Sequence, residues 1–306
     1  MTRNELLDLF TPIYDEFAMM KFGESPMVHE QIFDVIEDTT KDWKSNQISG
    51  LGEWEQVDED TDDGLDHFIV GYEESSTLLK YRKYFYVTFE VNEQMEYASL
   101  KSKIARAEAL GQGGRAVAER KTADILNDGF ATAGPDSQYL FDTDHPRNPE
   151  ETGITYDNLL SGAFSHDNLE TAEQEISRNF FDLDGLPIPK QGKALLVFPP
   201  ALRGPVMRVL SDRANEQPGT TMRNINLYRG TYTPVEWDWI SAELGGSDTA
   251  WYIIFPQMKM LKMVWGQKPQ YTSWIDNLNQ RYYFDGWEFF HCIATDWRFG
   301  FGSTGL

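Results

Sequence analysis

The sequence contains little cysteine: Cys292 is the single one among 306 residues. One thiol cannot build an internal disulfide framework or a thiolate metal cluster. A reducing cytoplasm is therefore the expected place of folding. Cys292 falls within an aromatic strand pattern, which favours an inert, buried thiol over a catalytic nucleophile.

Basic residues are also scarce, with 27 Lys and Arg against 49 Asp and Glu and a formal net charge of −22. Such a surface repels phosphate over most of its area, which argues against direct groove or backbone binding to nucleic acid. No run of about 18 apolar residues occurs, and acids interrupt the apolar residues at the start of the chain. The sequence therefore predicts no membrane span and no signal peptide.

Familiar catalytic motifs are missing as well. No two of the five histidines lie within four residues of each other, and no serine stands in a GxSxG motif. Paired acids for glycoside hydrolysis cannot be chosen from sequence, because their spatial separation decides. We predict no enzyme, no cofactor and no metal, with a carboxylate-dependent hydrolase as a minor alternative. Tryptophans such as Trp237 and Trp239 leave a carbohydrate-binding protein open, although the core is their commonest location.

One segment, ALGQGGRAVA, matches a relaxed dinucleotide-binding pattern through Gly111, Gly113 and Ala116. That pattern works only when a buried strand runs into the glycine turn and a helix leaves it. Here the preceding residues, KSKIARAEAL, are polar and helical. The sequence therefore predicts a flexed helix at this point.

A second segment, DEDTDDGLD, has the alternate aspartate spacing of a calcium-binding loop at Asp58, Asp60 and Asp62. The glycine comes one place late, at Gly64, and Ile69 occupies the position where a bidentate glutamate is needed. A solvated acidic loop tip is the preferred interpretation.

The stretch LFDTDHPRNP gathers Asp142, Asp144 and His145, an apparent acid, base and metal ligand. Pro146 and Pro149 bias the residues before them away from helix. The aspartates can accept hydrogen bonds from nearby backbone amides, as turn residues do. We therefore predict a connector, and expect the double change Asp144→Asn with His145→Gln to be tolerated.

Periodicity along the chain predicts an α+β fold. Residues 1–41 indicate an arm with helical pieces, which Pro12, Gly23 and Pro26 interrupt. Residues 42–79 carry too few apolar side chains for a core of their own, and predict a long loop or an open hairpin.

The segment YRKYFYVTFEVN alternates with the period of a strand, with Phe85, Val87, Phe89 and Val91 on one face. From 95 to 128 the period becomes that of a long helix. Its GQGG segment contains three glycines, each costing about 1 kcal/mol relative to alanine, which predicts a bend or break.

The second half of the chain mixes helices and strands. An amphipathic helix is predicted from about Asp167 to Phe181, with Leu169, Ala172 and Ile176 aligned on one face. The later segments are a buried strand KALLVFPP, a helix ALRGPVMRVLSDRA, and strands in AWYIIFP and QRYYFDGWEFFHCIATDW.

An ordered series of segments covers nearly the whole chain. It runs from LLKYRKYFYVTFEVN through a helix ending ADILNDGF to YLFDTDHP, GITYDNLLSGAFSHDNLETAEQEISRNFFDLDGLPIPKQGKALLVFPPAL, INLYRGTYTPVEWDW, DTAWYIIFP and WEFFHCIATDWRFGFGSTG. No single motif is diagnostic, but the series resembles the tailed-phage major capsid proteins of the Hong Kong 97 fold.

This resemblance implies a five-part organisation. The parts would be an N-terminal arm at 1–41, an extended loop with its return strand at 42–92, a peripheral domain with a long spine helix at 93–160, an axial domain at 161–256, and strands returning to the peripheral domain at 257–306. The implied function is a major capsid protein that assembles into hexamers and pentamers of an icosahedral shell around double-stranded DNA. An encapsulin-like cellular compartment is the alternative from the same fold.

The resemblance also implies partners and a location. The chain would bind itself, together with portal, scaffolding or decoration proteins, would meet packaged DNA only indirectly, and would not contact a membrane. It would fold and assemble in the host cytoplasm and end in the virion capsid. We expect intersubunit contacts at Trp54 and at three basic residues, Lys80, Arg82 and Lys83, which stand where the acidic loop returns to the rest of the chain. Some relatives crosslink a loop lysine covalently, but neither Lys44 nor Lys80 has surroundings that match, so no crosslink is predicted.

Overall fold

The computed structural model describes residues 3–50, 52–53, 68–90, 97–189, 192–210 and 228–306. Its helices are α1 (Arg3–Phe22), α2 (His29–Ile32), α3 (Tyr97–Asn127), α4 (His166–Asn179) and α5 (Arg203–Leu210). Its strands are β1 (Asp34–Glu37), β2 (Asp42–Ile48), β3 (Val70–Thr77), β4 (Leu79–Thr88), β5 (His145–Pro146), β6 (Thr155–Tyr156), β7 (Leu159–Leu160), β8 (Ala194–Phe198), β9 (Tyr232–Glu236), β10 (Trp251–Ile254), β11 (Leu261–Asp276), β12 (Arg281–Ala294) and β13 (Gly300–Ser303). Trp54, Val91 and the calcium-like aspartates Asp58, Asp60 and Asp62 lie outside the described residues.

The first helix departs from the sequence prediction, because α1 runs unbroken through Pro12. The neighbouring Thr11 hydroxyl lies 2.6 Å from the Ser273 hydroxyl on β11, and α1 packs against α3 and β11. Tertiary packing of this kind can outweigh the hydrogen bond that proline removes. Gly23 ends the helix as expected, since α1 stops at Phe22.

The long helix was also predicted with a break that it does not contain. α3 is one continuous helix of 31 residues. A side chain at Gly111 would place its Cβ 2.1 Å from the Ala18 carbonyl oxygen of α1. The glycine is therefore needed for the close approach of two helices, and the dinucleotide-like pattern lies inside a helix.

A four-stranded sheet packs against these helices in the order β1-β11-β12-β4. The strand predicted in YRKYFYVTFEVN is confirmed as β4 only as far as Thr88, because Phe89 and Glu90 are helical. Phe85 and Val87 lie on the face toward α1 and α3, and Tyr84 and Tyr86 are exposed on the other face. The strand predicted in QRYYFDGWEFFHCIATDW is confirmed as β12. Strands β2 and β3 form a separate antiparallel ribbon whose side chains alternate between exposed and half-buried, as predicted for a hairpin without its own core.

A five-stranded sheet follows in the order β7-β13-β10-β8-β9. Every residue of β8 and β10 is buried, because Leu195 and Tyr252 enter one hydrophobic core while Leu196 and Trp251 enter another. Burial on both faces explains why KALLVFPP and AWYIIFP are continuous apolar runs rather than alternating ones.

Helices α4 and α5 complete the second core. Ser165 caps α4 by accepting a hydrogen bond from the Asn168 backbone N–H, and Leu169, Ala172 and Ile176 are buried as the sequence predicts. The helix after KALLVFPP is confirmed over Arg203–Leu210, and Val206 is its buried contact with the second core. The α+β class is therefore confirmed.

Candidate intersubunit surfaces

The basic residues at the base of the loop lie on β4, one of the two edge strands of the four-stranded sheet. Alternation places Lys80 and Arg82 on the face away from the helices and Lys83 on the opposite face. All three are exposed. The strand therefore separates a group of residues that the sequence presents as one cluster.

Arg82 is already paired within its own subunit. Its Nε lies 2.9 Å from both carboxylate oxygens of Asp285, and one terminal nitrogen lies 2.8 Å from Oδ2. The Asp285 side chain is 5% exposed and the Arg82 side chain 46%. The hydrogen bonds to Asp285, followed by the charge of that carboxylate, raise the pKa of Arg82. Such a bidentate pair positions Arg82 firmly and leaves little of its charge for a neighbour.

The face of the sheet around this pair carries four rings that we call the aromatic face: Tyr84, Tyr86 and Trp274, which are exposed, and Tyr283, which is half-buried. The rings of Trp274 and Tyr283 stack with centroids 5.0 Å apart and planes 3° apart. Arg281 lies 4.2 Å from the centre of the Tyr86 ring, an attractive cation–π distance. Tyr84 is 57% and Tyr86 43% exposed.

Sequence reasoning missed the aromatic face, although a signal was present. In the sequences of both β4 and β12, every second residue is expected to point away from the helices. The antiparallel register places Tyr84 opposite Asp285 and Tyr86 opposite Tyr283 on that face. Only the strand pairing brings Trp274 beside Tyr283, and pairing cannot be read from one segment alone.

The two lysines have different surroundings. Lys80 Nζ lies 5.2 Å from the ring centre of Trp287 and 5.3 Å from that of Phe289. Lys83 stands at the rim of a cavity between the sheet and α3. Both remain available to an approaching surface.

The stretch LFDTDHPRNP is a connector, as predicted, but His145 is a structural part of it. His145 is fully buried, with Nδ1 2.6 Å from Asp136 Oδ2 and Nε2 3.1 Å from Asn158 Oδ1. Its ring stacks on Trp297 at 4.5 Å. The sequence does not show that Asp136 depends on this ring. Tolerance of His145→Gln stays a prediction, and these contacts argue for a loss of stability.

The aspartates of this stretch behave as turn residues only in part. Asp142 accepts hydrogen bonds from the backbone N–H groups of Thr143 and Tyr139, as predicted. Asp144 is exposed.

We predict that His145→Gln lowers the free energy of unfolding by about 1–3 kcal/mol, because Asp136 is left buried without its partner. Asp144→Asn is the matched control beside it and should change stability by no more than about 0.5 kcal/mol. Urea unfolding of the two variants checks the pair. Equal stabilities would show that the buried histidine adds nothing.

The tryptophans considered for a sugar platform are structural. Trp237 is 1% exposed and donates a hydrogen bond from Nε1 to Glu119 Oε2 at 2.8 Å, while Trp239 packs against the same core. The buried ring of Trp237 cannot stack on a carbohydrate, and Trp239 is half-buried against the core. Burial raises the pKa of Cys292, which keeps its thiol protonated, as expected for an inert cysteine.

Glu119 holds three parts of the chain together. Its Oε1 accepts a 2.6 Å hydrogen bond from the Val28 backbone N–H and lies 3.3 Å from His29 Nδ1. Its Oε2 accepts the bond from Trp237. Burial alone would raise the pKa of Glu119, but the nearby His29 ring and the hydrogen bonds from Trp237 and Val28 lower it overall. The carboxylate therefore joins α3 to the chain after α1 and to the turn after β9.

Among the described residues, no group of three or more His, Cys, Asp and Glu side chains is arranged to hold a metal ion. None of the helices within those same ranges has the length and apolar character needed to cross a membrane.

The fold matches the shells of phages and of a related compartment. The capsid structure of the cyanophage P-SCSP1u superposes with a TM-score of 0.57 at 12% identity, covering 91% of this chain and 88% of that one. The procapsid of bacteriophage JBD30 superposes with a TM-score of 0.54 at 14% identity, and the match covers 100% of this chain and 77% of that one. The encapsulin complex of Synechococcus elongatus superposes with a TM-score of 0.53 at 10% identity, and the match covers 92% of this chain and 88% of that one. At these identities the likeness shows the fold, which is the Hong Kong 97 type.

A search of curated proteins finds no match for the sequence. The profile of the phage capsid protein family, by contrast, matches residues 72–302. The chain belongs to this family. Its function is that of a major capsid protein, as the order of its segments predicted.

Proposed function

We propose that the protein assembles into hexamers and pentamers of an icosahedral shell that encloses double-stranded DNA. The observation that carries the proposal is the family match over residues 72–302 on a Hong Kong 97 fold. The net charge of −22 is compatible with this function, because a container that repels phosphate leaves its packaged DNA mobile.

The parts of the subunit are assigned on the same basis. Residues 1–41 form the arm, 42–92 the extended loop with its return strand, 93–160 the peripheral domain with α3 as spine helix, 161–256 the axial domain, and 257–306 the closing strands. The two sheets support a division into a peripheral and an axial part. The closing strands are shared between them, because β11 and β12 belong to the four-stranded sheet and β13 pairs with β10 and β7 in the five-stranded sheet.

The β2–β3 ribbon supports its assignment as a loop that depends on neighbouring subunits. It makes a hairpin of exposed and half-buried residues, and a two-stranded hairpin is marginally stable alone in water. Trp54, which lies between β2 and β3 in the sequence, and the β4 cations are proposed to contact the adjacent subunit. Arg82 is paired with Asp285. Within the described ranges Lys80 and Lys83 have no ion pair of their own, and these two lysines would meet acidic surface.

We predict that the double variant Lys80→Glu with Lys83→Glu lowers the yield of shells, most strongly at low salt, where exposed charges are screened least. Surface ion pairs contribute about 0–1 kcal/mol each, so two changes repeated over every subunit are a fair test. Arg82 is kept, because removing it would leave Asp285 buried and unpaired. The measurement is the sedimenting shell fraction.

The charge-preserving pair Lys80→Arg with Lys83→Arg is the control and should assemble like the wild type. Yields that are the same for the glutamate pair, the arginine pair and the wild type would remove these lysines from the interface.

Portal, scaffolding and decoration proteins are the further proposed partners, with assembly in the host cytoplasm and a final location in the virion. No catalytic role is proposed. The sedimentation velocity of purified protein, measured over a range of salt and crowding conditions, tests the main proposal. Shell-sized particles are expected; a monodisperse monomer under every condition would count against it.

The encapsulin likeness favours one second candidate, a cellular compartment with an enzyme as cargo. Particles isolated from the native source distinguish the two. The proposal expects double-stranded DNA inside, whereas a protein cargo without DNA would favour the compartment.

A further inference from the structure

A cavity of about 190 Å³ lies between α3 and the helix-facing side of the four-stranded sheet. Its lining includes Tyr81, Gly113, Gly114, Tyr271 and Glu288. A Cβ at Gly113 would meet nothing within 4 Å, so the helix leaves room at this point. A volume of this size holds several waters or one long side chain.

Glu288 is the unusual group of this cavity. It is 3% exposed, and neither carboxyl oxygen has a hydrogen-bond partner among the described residues. A Cβ at Gly114 would lie 3.4 Å from its Oε2, so the carboxyl group lies close to α3. The hydroxyl of Tyr271, in the same lining, is likewise without a partner in that part of the chain.

The other acidic residues that are buried within the described ranges are paired. Glu119 accepts bonds from Val28 and Trp237, Asp285 pairs with Arg82, and Asp136 bonds to His145. A buried carboxyl without a partner costs free energy and requires a reason. A group supplied from outside the subunit would provide one.

The groups around Glu288 favour a cation as the partner that comes from outside the subunit. Burial raises the pKa of Glu288 to about 8 and that of Asp15, on α1, to about 6. Burial, then the charges of Glu288 and Asp15, raises the pKa of Tyr271. The ring of Tyr81 provides a wall of the kind that attracts ammonium and guanidinium groups.

We propose that this cavity receives the side-chain ammonium or guanidinium group of a lysine or arginine from a second copy of the chain, with Glu288 as its carboxylate partner. The inference rests on the proposed function, because a shell supplies a second copy beside every subunit. Binding would transfer the proton of Glu288 to solvent and replace it with the incoming cation, so that assembly and ionisation of this carboxyl are linked.

Two cations of the same subunit, Arg82 and Lys83, line the cavity. Arg82 is paired with Asp285, so Lys83 is the internal competitor. Lys83→Met therefore belongs in the test. If the cation comes from a second copy, Glu288 must ionise on assembly in Lys83→Met shells as it does in wild-type shells.

The measurement is the infrared band of a protonated carboxylic acid at pH 7, taken as the difference between wild type and Glu288→Gln. The free subunit should show the band, and assembled shells should lack it. In the free subunit, n-butylammonium, which has the shape of a lysine side chain, should lower the measured pKa of Glu288 by about 1–3. Gly113→Leu, which fills the cavity, should abolish that effect.

Each outcome decides the inference. Shells that retain the carboxylic acid band overturn the inference and leave the proposed function intact. The inference is also overturned if the band disappears from wild-type shells but persists in Lys83→Met shells. Failure to form shells contradicts the proposed function instead. In that case a response to n-butylammonium supports a cation site but removes the second copy as its source, and no response removes the site.

Discussion

Gly111→Ala is expected to destabilise the protein, whereas Gly113→Ala, two residues further along the same helix, is expected to stabilise it. At Gly113 a new methyl group meets nothing within 4 Å, and alanine gains about 1 kcal/mol over glycine in a helix interior. At Gly111 the same methyl group would come 2.1 Å from the Ala18 carbonyl oxygen. Backbone must then move, and overpacking of this kind costs about 1–3 kcal/mol.

Urea unfolding of the unassembled subunit measures both variants. Limited proteolysis adds a local readout, since displacement of α1 from α3 should expose residues 11–22 to cleavage in Gly111→Ala only. A Gly111→Ala variant as stable as Gly113→Ala would show that α1 does not depend on this close approach.

Glu119→Ala is expected to have the larger effect, a loss of about 3–5 kcal/mol. The change removes the acceptor of the Val28 N–H and of Trp237 Nε1, both of which then lie in the core without partners. Arg120→Ala is the matched control, because Arg120 is the next residue of the same helix and is exposed. It should change stability by no more than about 0.5 kcal/mol.

The pH dependence of stability gives an independent check on Glu119. Its pKa is lowered in the folded state, so its contribution is fully present above the unfolded pKa of about 4.3 and is lost as pH falls through the folded value. Stability of the wild type should therefore fall more steeply below pH 4.3 than stability of Glu119→Gln. Parallel curves for the two proteins would contradict the assigned role of this carboxylate.

Local periodicity was sufficient to predict most of the regular structure. Strand β4, helix α4 and the buried strands β8 and β10 each have an apolar pattern that matches one kind of element, and each was confirmed. In all of them the local preference and the tertiary packing agree, and such agreement is what makes a segment predictable.

The errors came from places where packing overrides local preference. Pro12 and the glycines of α3 predict interruptions, but both helices continue because α1 and α3 pack together, with Gly111 at the close approach. The role of His145 was missed because Asp136 and Trp297 reach it from other parts of the chain.

The candidate surfaces were predictable only in outline. Lys80, Arg82 and Lys83 stand together in sequence, but the pairing of Arg82 depends on Asp285, which lies 203 positions away. The cavity at Glu288 requires the sheet, α1 and α3 to be assembled first. Contacts of this range need the strand register, which a single sequence does not supply.

The central claim is that this subunit builds a closed shell, and single-particle electron microscopy of the assembled protein tests it most directly. The account predicts icosahedral particles in which the described fold repeats as hexamers and pentamers, with Lys80 and Lys83 at contacts between subunits. A reconstruction showing isolated monomers, or an assembly in which the four-stranded sheet and β4 face only solvent, would contradict it.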